Sequence, residues 1–289
     1  MAATQLKKLK LPTSKAQVFY REAGAGSAPV ILLLHGFPSS SHQYRNLIPI
    51  LAAKYRVIVP DLPGFGFTEV PEGFEYTFDA LAAVISEFLD LRIIRQYSIY
   101  IFDYGAPVGL RLALQQPAAI QAIITQNGNA YEAGLGAFWD QIRALWTSDN
   151  DAAVRGKLAT GLLSLDATKW QYEEGTRPNC LVAPESYSLD YALLQRPGNA
   201  DIQLDLFWDY RNNLPLYPEF HRFFRASQVP LLAVWGRHDQ IFVPAGAEAF
   251  KADLPEAEVH LLDAGHFAVE TETAEIGALI LDFLARKGI

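Results

Sequence analysis

Asp103, Asp239 and His266 each stand immediately past a run of aliphatic and β-branched residues. Asp103 follows YSIYIF and precedes Tyr104 and Gly105, which suits a sharp strand-to-helix turn where the glycine lets helix and strand approach closely. Asp239 closes WGRHD after VPLLAVW, and His266 lies in LDAGHF after the strand-like run 258–262. Nucleophile, acid and histidine in this chain order form the triad expected at the carboxyl ends of a parallel sheet. Alone, Asp103 could be a helix N-cap, and the other two could be ordinary loop residues. Three such residues, each after its own strand, point to chemistry. His35-Gly36-Phe37-Pro38 follows VILLL, and the backbone N–H groups of Phe37 and Tyr104 could converge on one developing oxyanion. Pro38, which has no N–H, suits a cis bond shaping that loop. His35 is expected to hydrogen-bond within the loop beside the substrate rather than act as a base.

A carboxylate in the nucleophile position defines a reaction class. Aspartate is already ionised near neutral pH and needs no base to activate it. It can displace at an sp³ carbon and form an alkyl ester on the enzyme. His266, oriented by Asp239, would then activate water against the ester carbonyl, with the oxyanion loop stabilising the tetrahedral intermediate. Such a hydrolase requires no metal and no organic cofactor. The only phosphate-loop suggestion, GFG at 64–66, is too short for a dinucleotide fingerprint.

The elements that must hold these residues alternate between short strand runs and amphipathic helices, the pattern of a mostly parallel sheet flanked by helices. Strands are expected at 17–22 (an edge), 30–34, 56–59, 97–102, 122–125, 229–235 and 258–262. Helices are expected at 78–91, 107–116, 245–252 and 273–286. Between 131 and 221 strand signals vanish, and aromatic residues, Asp and scattered Pro dominate. That stretch reads as a helical cap (131–221) inserted into an α/β core (1–130 and 222–289), closing an apolar pocket over the sheet.

The composition narrows the partners. The 289 residues carry a formal net charge of -8, which argues against nucleic acid and anionic membranes. Lys7, Lys8 and Lys10 read as a solvated N-terminal arm. Cys180 is the only cysteine, so an intramolecular disulfide is excluded. With no leader-like or membrane-length apolar run, the expectation is a cytoplasmic monomer or homodimer acting on a small apolar organic substrate.

At these residues the chain resembles the epoxide hydrolase and haloalkane dehalogenase branch of the α/β-hydrolase superfamily. HGFP resembles the HGxP motif of epoxide hydrolases, and FDYGAPVG the aspartate elbow of both groups. RNLIPILAAKYRVIVPDLPGFGFTE is similar to the corresponding segment in both. The dehalogenases have Trp directly after the nucleophile and often Asn after His-Gly, both donating to the halide. Here those positions are Tyr104 and Phe37, which turns the expectation toward epoxides. The resemblance implies two cap tyrosines that donate to the epoxide oxygen. Tyr210, in WDYRN, matches the second of them, beside Trp208. Tyr131 and Tyr172 are the substrate-facing candidates for the first, and Tyr104 is expected to contribute chiefly its backbone. The leading expectation is an epoxide hydrolase. The alternatives are a haloalkane or haloacid dehalogenase-like hydrolase, or an ester or lactone hydrolase.

Overall fold

In the computed structural model, which describes residues 3–289, one eight-stranded sheet carries the chain. Its strands are β1 (Gln5–Lys10), β2 (Gln17–Ala23), β3 (Val30–Leu34), β4 (Arg56–Pro60), β5 (Tyr97–Phe102), β6 (Ile120–Gln126), β7 (Leu231–Gly236) and β8 (Glu258–Leu262). They lie in the order β1-β2-β4-β3-β5-β6-β7-β8. The pairs β1–β2 and β2–β4 are antiparallel, and β4 through β8 pair in parallel. Every residue of β5 and β7 is buried, as expected of central strands covered on both faces.

Two expectations at the edge are corrected. The strand at 17–22 is not the edge, because β1 pairs outside it. The lysines read as a solvated arm are therefore residues of that outer strand. Lys7 reaches Glu22 at 2.6 Å and Lys8 reaches Glu69 at 2.6 Å. Lysines along an exposed edge also discourage pairing with another chain.

Twelve α-helices accompany the sheet among the described residues. α1 (Ile48–Leu51) and α2 (Phe78–Leu91) precede β5, and α3 (Gly105–Gln115) follows it. α2 starts where the sequence predicts, because Thr77 accepts a capping bond from the Ala80 N–H at 3.1 Å, and its Phe78, Leu81, Ile85 and Phe88 face the core. α3 begins two residues before the expected 107, directly after the Asp103 turn. Between β6 and β7 lie α4 (Asp140–Thr147), α5 (Ala152–Leu162), α6 (Leu165–Glu173), α7 (Pro184–Leu194), α8 (Asn199–Asp209) and α9 (Tyr217–Ser227). The boundary expected at 221 falls inside α9, which packs on α3 of the core. After β7 come α10 (Ala245–Ala249), α11 (Ala268–Thr271) and α12 (Thr273–Arg286).

Polar clasps hold the helical insertion on the sheet layer. Asp209 at the end of α8 accepts from the Phe78 N–H at 2.7 Å, so the insertion caps the start of α2. Arg111 of α3 donates to Asn213 at 2.7 Å, and Arg45 pairs with Glu270 at 2.8 Å while donating to Ser186 of α7 at 2.8 Å. No helix among the described residues is long and apolar enough to cross a membrane.

Candidate active site

The site is built where β5 ends. Asp103 has φ +46°, a left-handed conformation that a non-glycine residue adopts only when its surroundings impose it. The turn aims its carboxylate at the loop after β3. There the Phe37 N–H donates to Asp103 Oδ1 at 2.6 Å, and the Tyr104 N–H also bonds this carboxylate. Such closeness requires Gly36, since a Cβ at that position would overlap the Asp103 side chain. The Phe37–Pro38 bond is cis, as the loop's composition suggested.

The second oxygen, Oδ2, faces His266 Nε2 at 3.8 Å. His266 Nδ1 lies 2.8 Å from Asp239 Oδ2, and the Ile241 N–H holds the other Asp239 oxygen at 2.7 Å. The three side chains that follow β5, β7 and β8 thus meet in one buried line. Asn127, just past β6, was not singled out in the sequence. Its Nδ2 donates to Asp239 Oδ2 at 2.6 Å, and its Oδ1 accepts from the Gly236 N–H at 3.0 Å. Its neighbour Gln126 donates to the His266 carbonyl at 2.8 Å. The end of β6 therefore braces both the acid and the histidine. A polar pair after a buried strand was the available signal, but its partners lie more than a hundred residues away.

Above Asp103 the helical insertion supplies aromatic rings. Tyr210, immediately after α8, is 1 % exposed and packs 4.2 Å from the Trp139 ring and 6.0 Å from that of Tyr104. Its hydroxyl is hydrogen-bonded to that of Tyr217, which also accepts from Asn129 Nδ2 at 3.3 Å. Neither Tyr217 nor Asn129 was expected here. The indole N–H groups nearby are already committed. Trp139 donates to the Ile241 carbonyl at 2.9 Å and Trp146 to the Phe207 carbonyl at 2.8 Å.

Other expected substrate contacts lie elsewhere. The Tyr131 hydroxyl donates to Asp253 at 2.8 Å and its ring stacks on His221 at 4.2 Å, so it is a packing residue. The Tyr172 hydroxyl donates to Asp190 at 2.5 Å, while its ring stacks on Phe267 at 3.8 Å. Both expectations of a first ring-opening tyrosine are corrected, because each hydroxyl is held by a buried carboxylate. His35 is fully buried, its Nε2 accepting from the Leu62 N–H at 2.9 Å, which ties it to the backbone rather than to a ligand. Pro38 shapes the loop from its buried position beside Phe37. Trp208 is half-buried beneath Arg211, whose guanidinium stacks 3.5 Å over its ring, outside the ring cluster around Tyr210. A small cleft lined by Trp170, Gln171, Glu174, Gln240 and Ile241 opens on the Asp239–His266 pair, bridged by a Gln240–Glu174 hydrogen bond of 3.0 Å.

Burial sets the electrostatics. It pushes the Asp103 carboxyl up to about 6, against the lowering effects of the His266 charge and the two backbone donors. Burial also disfavours imidazolium at His266. The charges of Asp239 and Asp103 outweigh it, so that the histidine rises above its ordinary value. Both groups thus hold a proton more tightly than they would in water, and the imidazole is a strengthened base beside the carboxylate.

The sequence description of the family "alpha/beta hydrolase fold" matches residues 29–273. An uncharacterized hydrolase of Saccharomyces cerevisiae is 49 % identical over 273 residues, 94 % of each chain. Among solved structures, haloalkane dehalogenase DbeA from Bradyrhizobium elkani superposes with a TM-score of 0.80 at 20 % identity, covering 99 % of both chains. Epoxide hydrolase VrEH1 from Vigna radiata does so with a TM-score of 0.75 at 23 % identity, covering 98 % of both. At these identities the two structures speak for the fold alone.

Two outcomes follow from the geometry. Asn127→Ala removes a donor from Asp239 and a partner from the Gly236 N–H. A hydrogen bond to a charged group contributes about 1.5–3 kcal/mol, so any step using His266 as base should slow roughly ten- to a hundredfold. Single-turnover kinetics should show this with any step that does not use His266 as base little changed, and equal slowing of both kinds of step would refute the brace. Attack by Asp103 should also fail as pH drops below about 6, where its carboxyl takes up a proton. The step needing neutral His266 should fail at a higher pH, and rapid-quench pH profiles separate the two limbs.

Proposed function

This chain belongs to the α/β-hydrolase fold family and is a hydrolase; within that family we propose that it opens epoxides to vicinal diols through an ester on Asp103. The observation that carries this reading is the unequal treatment of the two Asp103 oxygens, one held by backbone donors and the other turned toward His266.

In the first step Asp103 Oδ2 attacks an epoxide carbon, forming a C–O ester bond as the ring C–O bond breaks. The electron pair passes to the ring oxygen, which takes a proton from Tyr210. Its ring packs 6.0 Å from that of Tyr104, the residue directly after Asp103. In the second step neutral His266, held by Asp239, takes a proton from water, and the hydroxide adds to the carboxyl carbon of Asp103. Oδ1 becomes the oxyanion without leaving the Phe37 N–H group. Collapse breaks the ester C–O bond, the leaving alkoxide takes the proton of the added hydroxyl to become the diol as the Asp103 carboxylate re-forms, and the proton on His266 restores the tyrosine. The packed rings of Phe37, Phe207, Trp139 and Tyr210 favour an apolar substrate.

Halide displacement fits less well. A departing halide needs fixed N–H donors, and the indoles of Trp139 and Trp146 are spent on backbone carbonyls. The dehalogenase reading would regain ground only if halide were released from haloalkanes without diol formation from epoxides.

Oxygen-18 water tests the covalent route. In a single turnover the diol should leave with its new oxygen drawn from Asp103, and the solvent label should be found in the Asp103 peptide. A first-turnover diol carrying solvent oxygen would contradict it.

A further inference from the structure

Asp190, midway along α7, is fully buried. Its Oδ2 accepts from the Tyr172 hydroxyl of α6 at 2.5 Å, while its Oδ1 has no hydrogen-bond partner among the described residues. An ionised oxygen left dry in this way costs far more than a neutral one. The cations of the surrounding elements are committed elsewhere. Arg45 pairs with Glu270 of α11 at 2.8 Å and donates to Ser186 of α7 at 2.8 Å. Lys169 of α6 turns to Glu173 at 3.7 Å and to the ring of Tyr187, which itself lies 6.3 Å from that of Tyr172. His42 faces Arg45, Arg21 and Glu185, and burial pushes it down to about 4. Burial pushes the Asp190 carboxyl up to about 8, against hydrogen bonds from Tyr172 and Ser39 and with the negative charges of Glu270 and Asp61 adding to the rise.

The same pair touches both catalytic loops. The Tyr172 hydroxyl is 3.2 Å from Ser39 Oγ. The Ser39 N–H donates to the Gly36 carbonyl at 2.9 Å, closing the turn that presents the Phe37 N–H to Asp103. The Tyr172 ring lies flat on Phe267 at 3.8 Å, and Phe267 directly follows His266. Two residues on, the Glu174 carbonyl sits so near Gly265 that a Cβ there would fall 1.8 Å from it. The end of α6 thus rests on the loop that carries His266 and, through Ser39, on the loop that carries Phe37.

We propose that Asp190 and Tyr172 are positioning residues for both loops, a latch that holds α6 and α7 down while Asp190 carries a proton and frees them when it ionises. The latch goes beyond the epoxide reading and holds whichever substrate Asp103 attacks. With the insertion closed, Asp190 keeps its proton up to about pH 8, whereas an exposed aspartate loses it near about 3.9. Between these limits opening releases the proton to solvent, so each pH unit upward raises the open fraction about tenfold. Above about 8 both states are ionised and the rise stops. The insertion is therefore tightest in mild acid.

Hydrogen exchange of the full chain between about pH 5 and 9, corrected for the intrinsic rate at each pH, tests this in native protein, Asp190→Asn and Tyr172→Phe. In native protein, peptides from 165–194, 36–44 and 264–270 should lose protection together, about tenfold per pH unit up to about pH 8, while β5 and α3 stay protected. Asp190→Asn keeps an acceptor for Tyr172 but has nothing to ionise, so those peptides should hold one level of protection across the range. Asp61 and Glu270 remain in that variant, which separates their titration from that of Asp190. Tyr172→Phe loses one hydrogen bond and should be about tenfold less protected in mild acid while keeping a slope. Flat protection in native protein, a slope shared by Asp190→Asn, or a slope confined to 165–194 with the two loops unmoved would each overturn the latch. None of these results bears on the epoxide reading, which stands or falls by its own test.

Discussion

The hydrogen bond from the Phe37 N–H to Asp103 Oδ1, 2.6 Å long, is the constraint on which the rest depends. A free carboxylate has two equivalent oxygens. Binding one of them to a backbone donor leaves the other turned toward His266. The bond forms only because the loop after β3 can lie against the elbow after β5. That closeness needs a residue without a side chain at Gly36 and a left-handed backbone at Asp103. Parallel pairing of β3 with β5 brings the two loops to the same sheet edge. The topology therefore does more than support the site; it makes the two oxygens of one carboxylate inequivalent.

The helical insertion contributes by what its packing uses up. Trp139 and Trp146 satisfy their indole N–H groups within the protein, so they present only ring surface to Tyr210. The polar capacity near Asp103 is left to phenols, which can donate a hydrogen bond or a full proton. An oxygen leaving group needs such a donor, whereas a halide needs no proton. In the proposed epoxide opening, the aromatic cluster serves the leaving oxygen while the triad serves the ester.

Much of the core was legible in the sequence, for a physical reason. Strands buried on both faces, such as β3, β5 and β7, read as unbroken apolar runs, and the residue that ends each run is placed by the sheet itself. Asp103, Asp239 and His266 could be found because of this, and β8 and α12 match the expected bounds. The outer strand β1 was hidden because its lysines face solvent and its pairing partner, β2, is a separate segment. Residues whose roles depend on distant partners were illegible. Tyr131 and Tyr172 looked alike as free aromatic alcohols, and only folding brings Asp253 and Asp190 to them. Asn127 and Tyr217 belong to the same class. Nothing local distinguishes a loop asparagine from one that spans two catalytic segments.

The central claim is that Asp103 becomes an ester, and the mass of a stalled enzyme tests it most directly. His266→Gln keeps the attacking carboxylate but lacks the base for hydrolysis. After incubation with an aryl epoxide, the intact protein should gain the full mass of the epoxide, and peptide mapping should place the gain on Asp103. An unchanged intact mass, or an adduct on any other residue, would contradict the account.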